Sequence, residues 1–129
     1  MRDPKPEEMI EMLIQATEAD YWNHYEKDFR KHCYDWLSEG EMDSRMSHEE
    51  YRNLPIVLAQ HPHVELCTYI YKGKRVWGYY REKLRYGNLN LNKVGVVYDM
   101  EANEIIHCMR FRRGKRYCEQ FVDLVKIRW

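Results

Sequence analysis

Arginine, lysine and aromatic residues are interleaved through the second half of this sequence. Cations attract phosphate oxygens or acidic side chains, and aromatic rings stack on bases or fill pockets in a partner protein. The pattern therefore predicts a basic-aromatic binding surface. Its predicted members are Tyr69, Tyr71, Arg75, Trp77, Tyr79, Arg81, Arg110, Arg112 and Arg113. Further cations lie beside them in the sequence, at Lys83, Arg85, Lys115 and Arg116.

The same region contains residue types that a metal-independent ribonuclease needs. Such an enzyme requires an acid/base pair and cations that stabilise the charge developing on phosphate. The weak candidates for the pair are His107, Tyr117 and Glu119, with Arg110 and Arg112 as the cations. In a regular strand, however, His107 would face away from both arginines. The sequence also contains no glycine-rich phosphate loop, Gly-x-Ser-x-Gly elbow or His-Glu-x-x-His motif, so binding is favoured over catalysis.

Histidines and cysteines leave a zinc site open as an alternative. Its ligands would come from Cys67, Cys108 or Cys118 together with His63 or His107. The spacings match no standard zinc motif, and reduced, half-buried thiols are favoured instead. His61-Pro62-His63, followed by Glu65, is interpreted as the exit from a helix. We therefore predict no metal and no cofactor.

A sheet must position most of these side chains. Strands are predicted at Val64–Tyr71, Lys74–Arg81, Leu89–Asp99 and Glu104–Arg112, because these segments are rich in β-branched and aromatic residues. Lys72-Gly73 predicts one hairpin turn, and Asn103 is expected to adopt a left-handed conformation in another. If the first two strands pair, we expect Tyr69, Tyr71, Trp77 and Tyr79 to line one face.

Helices are predicted before the sheet. The stripe of Trp22, Tyr25, Phe29, Cys33 and Trp36 has helical spacing and is interpreted as a buried face, with the helix ending near Gly40. A second helix is predicted to begin at the capping box Ser47-x-x-Glu50, and Pro55 should kink or divide this helix. Whether these helices cover the aromatic face is left open. The tail is ambiguous as well: a helix is favoured over 116–125, and a strand is the alternative.

Length and composition indicate one α+β domain over 1–129. Residues 1–60 are expected to form a mainly helical layer on a curved antiparallel sheet of three to five strands (64–113), and 115–129 a C-terminal helix or strand. Residues 1–53 carry 7 basic and 14 acidic side chains, a net charge of −7, and residues 54–129 carry the opposite, +7. The sequence has no apolar segment long enough to span a bilayer and begins without a secretory signal, which predicts a cytoplasmic protein.

These observations predict a small non-enzymatic binding protein. Its basic-aromatic sheet face is expected to dock a protein or nucleoprotein partner, as an inhibitor, immunity factor or adaptor does, and an origin in a phage or mobile element would fit. The first alternative is a protein that binds RNA or single-stranded DNA, and the second is a metal-independent ribonuclease of the small-toxin type. A homodimer is compatible with the sequence, whereas membrane association is not expected.

Overall fold

The computed structural model describes residues 6–18, 22, 25–38 and 46–129, and it confirms the predicted α+β class. Within these residues, three helices precede the sheet and a one-turn helix interrupts its last connection. The helices are α1 (Pro6–Glu18), α2 (Tyr25–Ser38), α3 (His48–Gln60) and α4 (Arg116–Glu119). The strands are β1 (Glu65–Tyr71), β2 (Lys74–Tyr86), β3 (Leu89–Asp99), β4 (Glu104–Arg110) and β5 (Val122–Arg128). None of the described helices is both long and apolar enough to cross a membrane.

The five strands form one antiparallel sheet in the order β4-β3-β2-β1-β5. Both predicted turns are present: Lys72 and Gly73 have φ of 50° and 80°, and Asn103 has φ of 53°. Positive φ at both central residues is what a two-residue hairpin turn requires. β2 continues five residues beyond the predicted end at Arg81, whereas β4 ends at Arg110, two residues before the predicted end.

Local signals predict α3 well. The capping box is complete, with Glu50 N donating to Ser47 Oγ at 3.1 Å and Ser47 N donating to Glu50 Oε1 at 2.9 Å. Pro55 does not divide the segment, which is one helix from His48 to Gln60. The Pro55 ring is buried, and we attribute the continuity of α3 to its packing in the core. The predicted end of the preceding helix at Gly40 lies outside the described residues.

The sheet separates two apolar cores. On one side, α1, α2 and α3 pack on the sheet through Leu13, Trp36 and Leu54, which are fully buried. We call this the helix-side core. On the other side, Cys67, Tyr69, Val76, Tyr80 and Val97 of the sheet are covered by Phe111, Cys118 and their neighbours. We call residues 111–121, which provide this cover, the C-terminal cap.

The C-terminal segment differs from the helix favoured by its sequence. Only Arg116–Glu119 is helical, and Val122–Arg128 is a strand paired with β1. The strand alternative is therefore the correct one for most of the tail. β1 would otherwise be left with unpaired backbone groups along its outer edge, and the β-branched residues of this segment favour pairing there.

Candidate binding surface

The register of β1 and β2 places the predicted aromatic side chains on two different faces of the sheet. Tyr71 pairs with Lys74, so that Tyr69 is opposite Val76 and Thr68 is opposite Trp77. Directly opposed residues of an antiparallel pair share a face. Each pair in this register joins an odd-numbered residue to an even-numbered one. The expectation that Tyr69 and Tyr71 share a face with Trp77 and Tyr79 is therefore wrong.

Most of these rings are buried. Trp77 and Tyr79 lie in the helix-side core with 2% and 0% of their surface exposed, so the helices do cover their face. Tyr69 is buried under the C-terminal cap, where its ring stacks on Phe121 at a centroid distance of 4.7 Å. Burial raises the pKa of the Tyr69 phenol. Tyr71 alone among the four predicted rings is half-exposed, with Lys72 Nζ 5.3 Å from its centroid.

The arginines of β2 are engaged locally. Arg75 donates to Thr68 Oγ1 at 3.2 Å and to the Asp123 carbonyl oxygen at 3.3 Å, which ties β2 to the start of β5 across β1. Arg81 donates through Nε to the Lys83 carbonyl oxygen at 3.1 Å. Burial of the His61 ring lowers the pKa of His61, and the positive charge of Arg81 contributes to the same shift. Neither Arg75 nor Arg81 lines the clefts that contain the remaining predicted arginines.

The remaining predicted arginines converge where β4 meets the C-terminal cap. Two adjoining clefts of about 560 and 640 Å³ open there and share Arg112, Arg113 and Gln120. We call the cations lining them the basic corner, which consists of Lys31, Lys93, Arg110, Arg112, Arg113 and Arg116. Glu119 is the carboxylate in their lining, and Met109, Phe111 and Tyr117 add apolar surface to the first cleft.

Backbone hydrogen bonds hold the corner in shape. Phe111 N donates to the Lys93 carbonyl oxygen at 2.7 Å, and Gly114 N donates to the Phe111 carbonyl oxygen at 2.7 Å. Lys93 and Gly114 both have positive φ, 57° and 60°. Lys93 lies within β3, and Gly114 lies in the turn that follows Phe111. Lys93 Nζ also donates to the Arg112 carbonyl oxygen at 3.2 Å. The arginines of the cap are thus carried on a backbone fixed to β3.

The three weak catalytic candidates do not meet in one cleft. Tyr117 and Glu119 line the basic corner, but His107 lines a separate cleft of about 390 Å³ with Lys27, Tyr71 and Lys74. His107 Nδ1 lies 3.2 Å from Asp28 Oδ1, and Asp28 Oδ2 accepts from Trp22 Nε1 at 3.1 Å. Burial raises the pKa of the Tyr117 phenol above its ordinary value, further from neutral pH. These three residues therefore do not assemble an acid/base pair in one cleft.

The three described cysteines are divided between the two cores. Cys108 lies in the helix-side core, whereas Cys67 and Cys118 lie beneath the C-terminal cap, and all three are free thiols. Within the described part of the chain, no group of three His, Cys, Asp or Glu side chains is arranged to hold a metal ion. His61 Nδ1 accepts from His63 N at 3.0 Å, as in a local turn at a helix exit.

Two cations of the corner were not predicted from the sequence. Lys93 directly precedes Val94, and Val94 pairs with Arg110. A correct prediction of the β3–β4 register would therefore have placed Lys93 near Phe111. Lys31 is brought to the corner by the packing of α2 against β4, for which no local pattern exists. Comparison with protein-family models, curated proteins and solved structures finds no match for this chain.

Proposed function

We propose that this protein is a small non-enzymatic binding protein that docks an acidic protein partner, alone or within a nucleoprotein, at the basic corner. Its action would be that of an inhibitor, immunity factor or adaptor. The observation that carries the proposal is the composition of the two clefts, whose described lining residues include six cations and one carboxylate. Since the whole chain has no net charge, this excess is local, and a local field steers and orients a partner of opposite sign.

The first cleft adds the residue types that dominate binding energy at interfaces. Tyr117 is half-buried, with its ring 4.4 Å from the ring centroid of Phe111, and arginines border both. Tyrosine and arginine are enriched among interface residues whose truncation is costly. The partner is therefore expected to place an apolar side chain against Tyr117 and acidic groups against the arginines.

The test begins with capture and ends with a titration. Proteins retained by the immobilised chain would be identified, purified and titrated by calorimetry against wild type and two double variants. Arg112→Ala with Arg113→Ala is expected to weaken binding about tenfold or more, which corresponds to about 1.4 kcal/mol. The matched control, Lys83→Ala with Arg85→Ala, also removes two exposed charges but from a different cleft, and affinity should change less than about twofold. Equal losses in the two double variants would contradict the proposed site.

Trp77→Ala is not a useful probe of this interface. The Trp77 side chain is buried in the helix-side core, so its removal measures folding. We expect it to destabilise the protein by about 3–5 kcal/mol, the usual cost of truncating a large buried ring. Tyr117→Phe is the better aromatic probe, because it removes only the hydroxyl and keeps the ring.

Nucleic acid is the second candidate, and the same cation excess favours it. Burial of Tyr69, Trp77 and Tyr79 removes the stacking platform that a single strand needs, so binding would depend on the phosphate backbone. The check is a titration with labelled single- and double-stranded RNA and DNA at several salt concentrations. If this candidate is correct, the Arg112→Ala, Arg113→Ala variant should flatten the logarithmic salt slope by about 1–2. Absence of binding at low salt would leave the protein partner as the proposal.

A further inference from the structure

Two buried thiols from different elements meet beneath the C-terminal cap. Cys67 lies in the centre of β1 and Cys118 in α4, and neither has any exposed surface. Both sulfurs lie over Gly78 of β2: a Cβ atom placed on that glycine would be 3.0 Å from Cys67 Sγ and 3.2 Å from Cys118 Sγ. The glycine leaves the space in which the two sulfurs come together.

We propose that Cys67 and Cys118 are an oxidation site, at which a disulfide forms and ties the C-terminal cap covalently to β1. Because the two sulfur atoms lie 3.0 and 3.2 Å from the same point above Gly78, they are neighbours in the folded protein. Of the three thiols that the structure describes, Cys108 lies in the other core, on the opposite side of the sheet. The pairing is therefore specific to Cys67 and Cys118 as long as the fold is intact.

The chemistry is thiol–disulfide exchange with a small disulfide such as oxidised glutathione. One cysteine thiolate attacks the glutathione S–S bond, which forms a mixed disulfide and releases one glutathione thiolate. The second cysteine thiolate then attacks the protein sulfur of that mixed disulfide and releases the second glutathione. The protein loses two electrons and two protons, and oxidised glutathione becomes two reduced molecules.

Burial makes this reaction depend on opening of the cap. The hydrogen bond with Cys118, followed by burial, raises the pKa of the Cys67 thiol well above its usual range, so the closed protein holds almost no thiolate. An oxidant therefore reacts when residues 111–121 separate from the sheet. The disulfide formed on reclosing is then shielded from reductants, and it fixes the backbone that carries Arg112, Arg113 and Arg116.

The first experiment incubates the folded full-length protein with oxidised glutathione and maps its disulfides under non-reducing conditions. We expect a linked pair of peptides that contain Cys67 and Cys118, and an intact mass lower by two hydrogen atoms. The matched variants are Cys118→Ala, which should form no such link, and Cys108→Ala, which should form it as wild type does. A link that includes Cys33 or Cys108, or glutathione adducts alone after prolonged incubation, would overturn the proposal.

A second measurement tests whether the disulfide fixes the cap. Trypsin cleaves after arginine and lysine, and the cap contains Arg112, Arg113, Lys115 and Arg116. Cleavage within 111–121 should be several-fold slower in the oxidised protein than in the reduced one, and dithiothreitol should restore the faster rate. Oxidant should leave the rate in Cys118→Ala unchanged. Equal rates in oxidised and reduced wild type would show that the bond does not hold the cap.

Discussion

The Phe111 ring packs the C-terminal cap onto the sheet. The ring fits against β3 because residue 95 is a glycine. A Cβ atom on Gly95 would stand 2.3–2.4 Å from three atoms of the Phe111 ring, because the ring lies against the bare backbone of β3. No real contact is that short, and the ring is a rigid group rather than the end of a flexible chain. The packing of the cap on the sheet therefore requires glycine at position 95.

Gly95→Ala is accordingly expected to displace Phe111 and destabilise the protein by about 1–3 kcal/mol, the usual cost of overpacking. Urea unfolding of wild type, Gly95→Ala, Phe111→Ala and the double variant measures the effect. Removing the ring also removes the clash, so the two substitutions together should cost less than the sum of the two alone, by about 1 kcal/mol or more. Additive losses would mean that the ring and the glycine do not contact each other.

At the level of elements, α2 is fixed to the edge of the sheet through one buried carboxylate. Asp28 is 1% exposed, and its two oxygens lie within hydrogen-bond distance of Trp22 Nε1 and His107 Nδ1. The carboxylate thus connects α2, Trp22 and β4. The backbone of Trp22 also forms a bridge with Ile105, so the same region of β4 is covered twice.

Asp28→Ala should leave two donors without their acceptor and cost about 2–4 kcal/mol of the free energy of unfolding. Asp28→Asn is expected to cost less, because the amide keeps one acceptor oxygen and the volume of the side chain. The control is Glu26→Ala, an exposed acidic residue on the same helix, which should change stability by less than about 0.5 kcal/mol. Chemical unfolding followed by tryptophan fluorescence measures all three variants. A loss no greater than that of the Glu26 control would contradict the role of Asp28.

The parts of the fold that follow from short-range chemistry were predictable from the sequence. The α3 capping box, the Lys72-Gly73 turn and the left-handed Asn103 each depend on residues within a few positions of one another. The two-residue turn at Lys72-Gly73 implies that odd-numbered residues of β1 lie opposite even-numbered residues of β2. The predicted aromatic face nevertheless combined odd-numbered residues of both strands. β5 was ambiguous because its pairing partner, β1, lies about 55 residues earlier, and local propensity alone does not reveal such a partner.

The same distinction applies to the candidate site. Arg110, Arg112 and Arg113 line one cleft because they are close in sequence at the end of one strand, a proximity that the sequence itself contains. Their separation from Arg75, Trp77 and Tyr79 follows from the sheet register and from burial, neither of which sequence alternation determines. Lys31 joins them only through the packing of α2, which is a property of the tertiary structure.

For the whole molecule, the sheet has two edges that differ in how they are protected. The β4 edge is bridged by Trp22 at Ile105. In the described part of the chain, β5 pairs only with β1, and its Val122 and Val125 are 67% and 52% exposed. Exposed apolar edge strands promote association between chains. Two irregularities in the β1–β5 pairing counter this tendency, because Asp123 and Ile127 each fall between paired residues. Asp123 also has a positive φ of 55°. The regularly paired part of the β5 edge is therefore short.

We therefore expect the chain to be monomeric at about 100 µM, because bulges and charged residues on an edge strand prevent strand addition. Lys126 lies between Val125 and Ile127, and Lys126→Val would extend an uncharged apolar run from Leu124 to Ile127. Light scattering after size-exclusion chromatography should show concentration-dependent association for Lys126→Val. It should show none for wild type or for Lys27→Val, which places the same side chain at an exposed position of α2, outside the sheet. A wild-type dimer that Lys126→Val leaves unchanged would mean that β5 is not the edge controlling association, and an interface elsewhere would then have to account for the dimer.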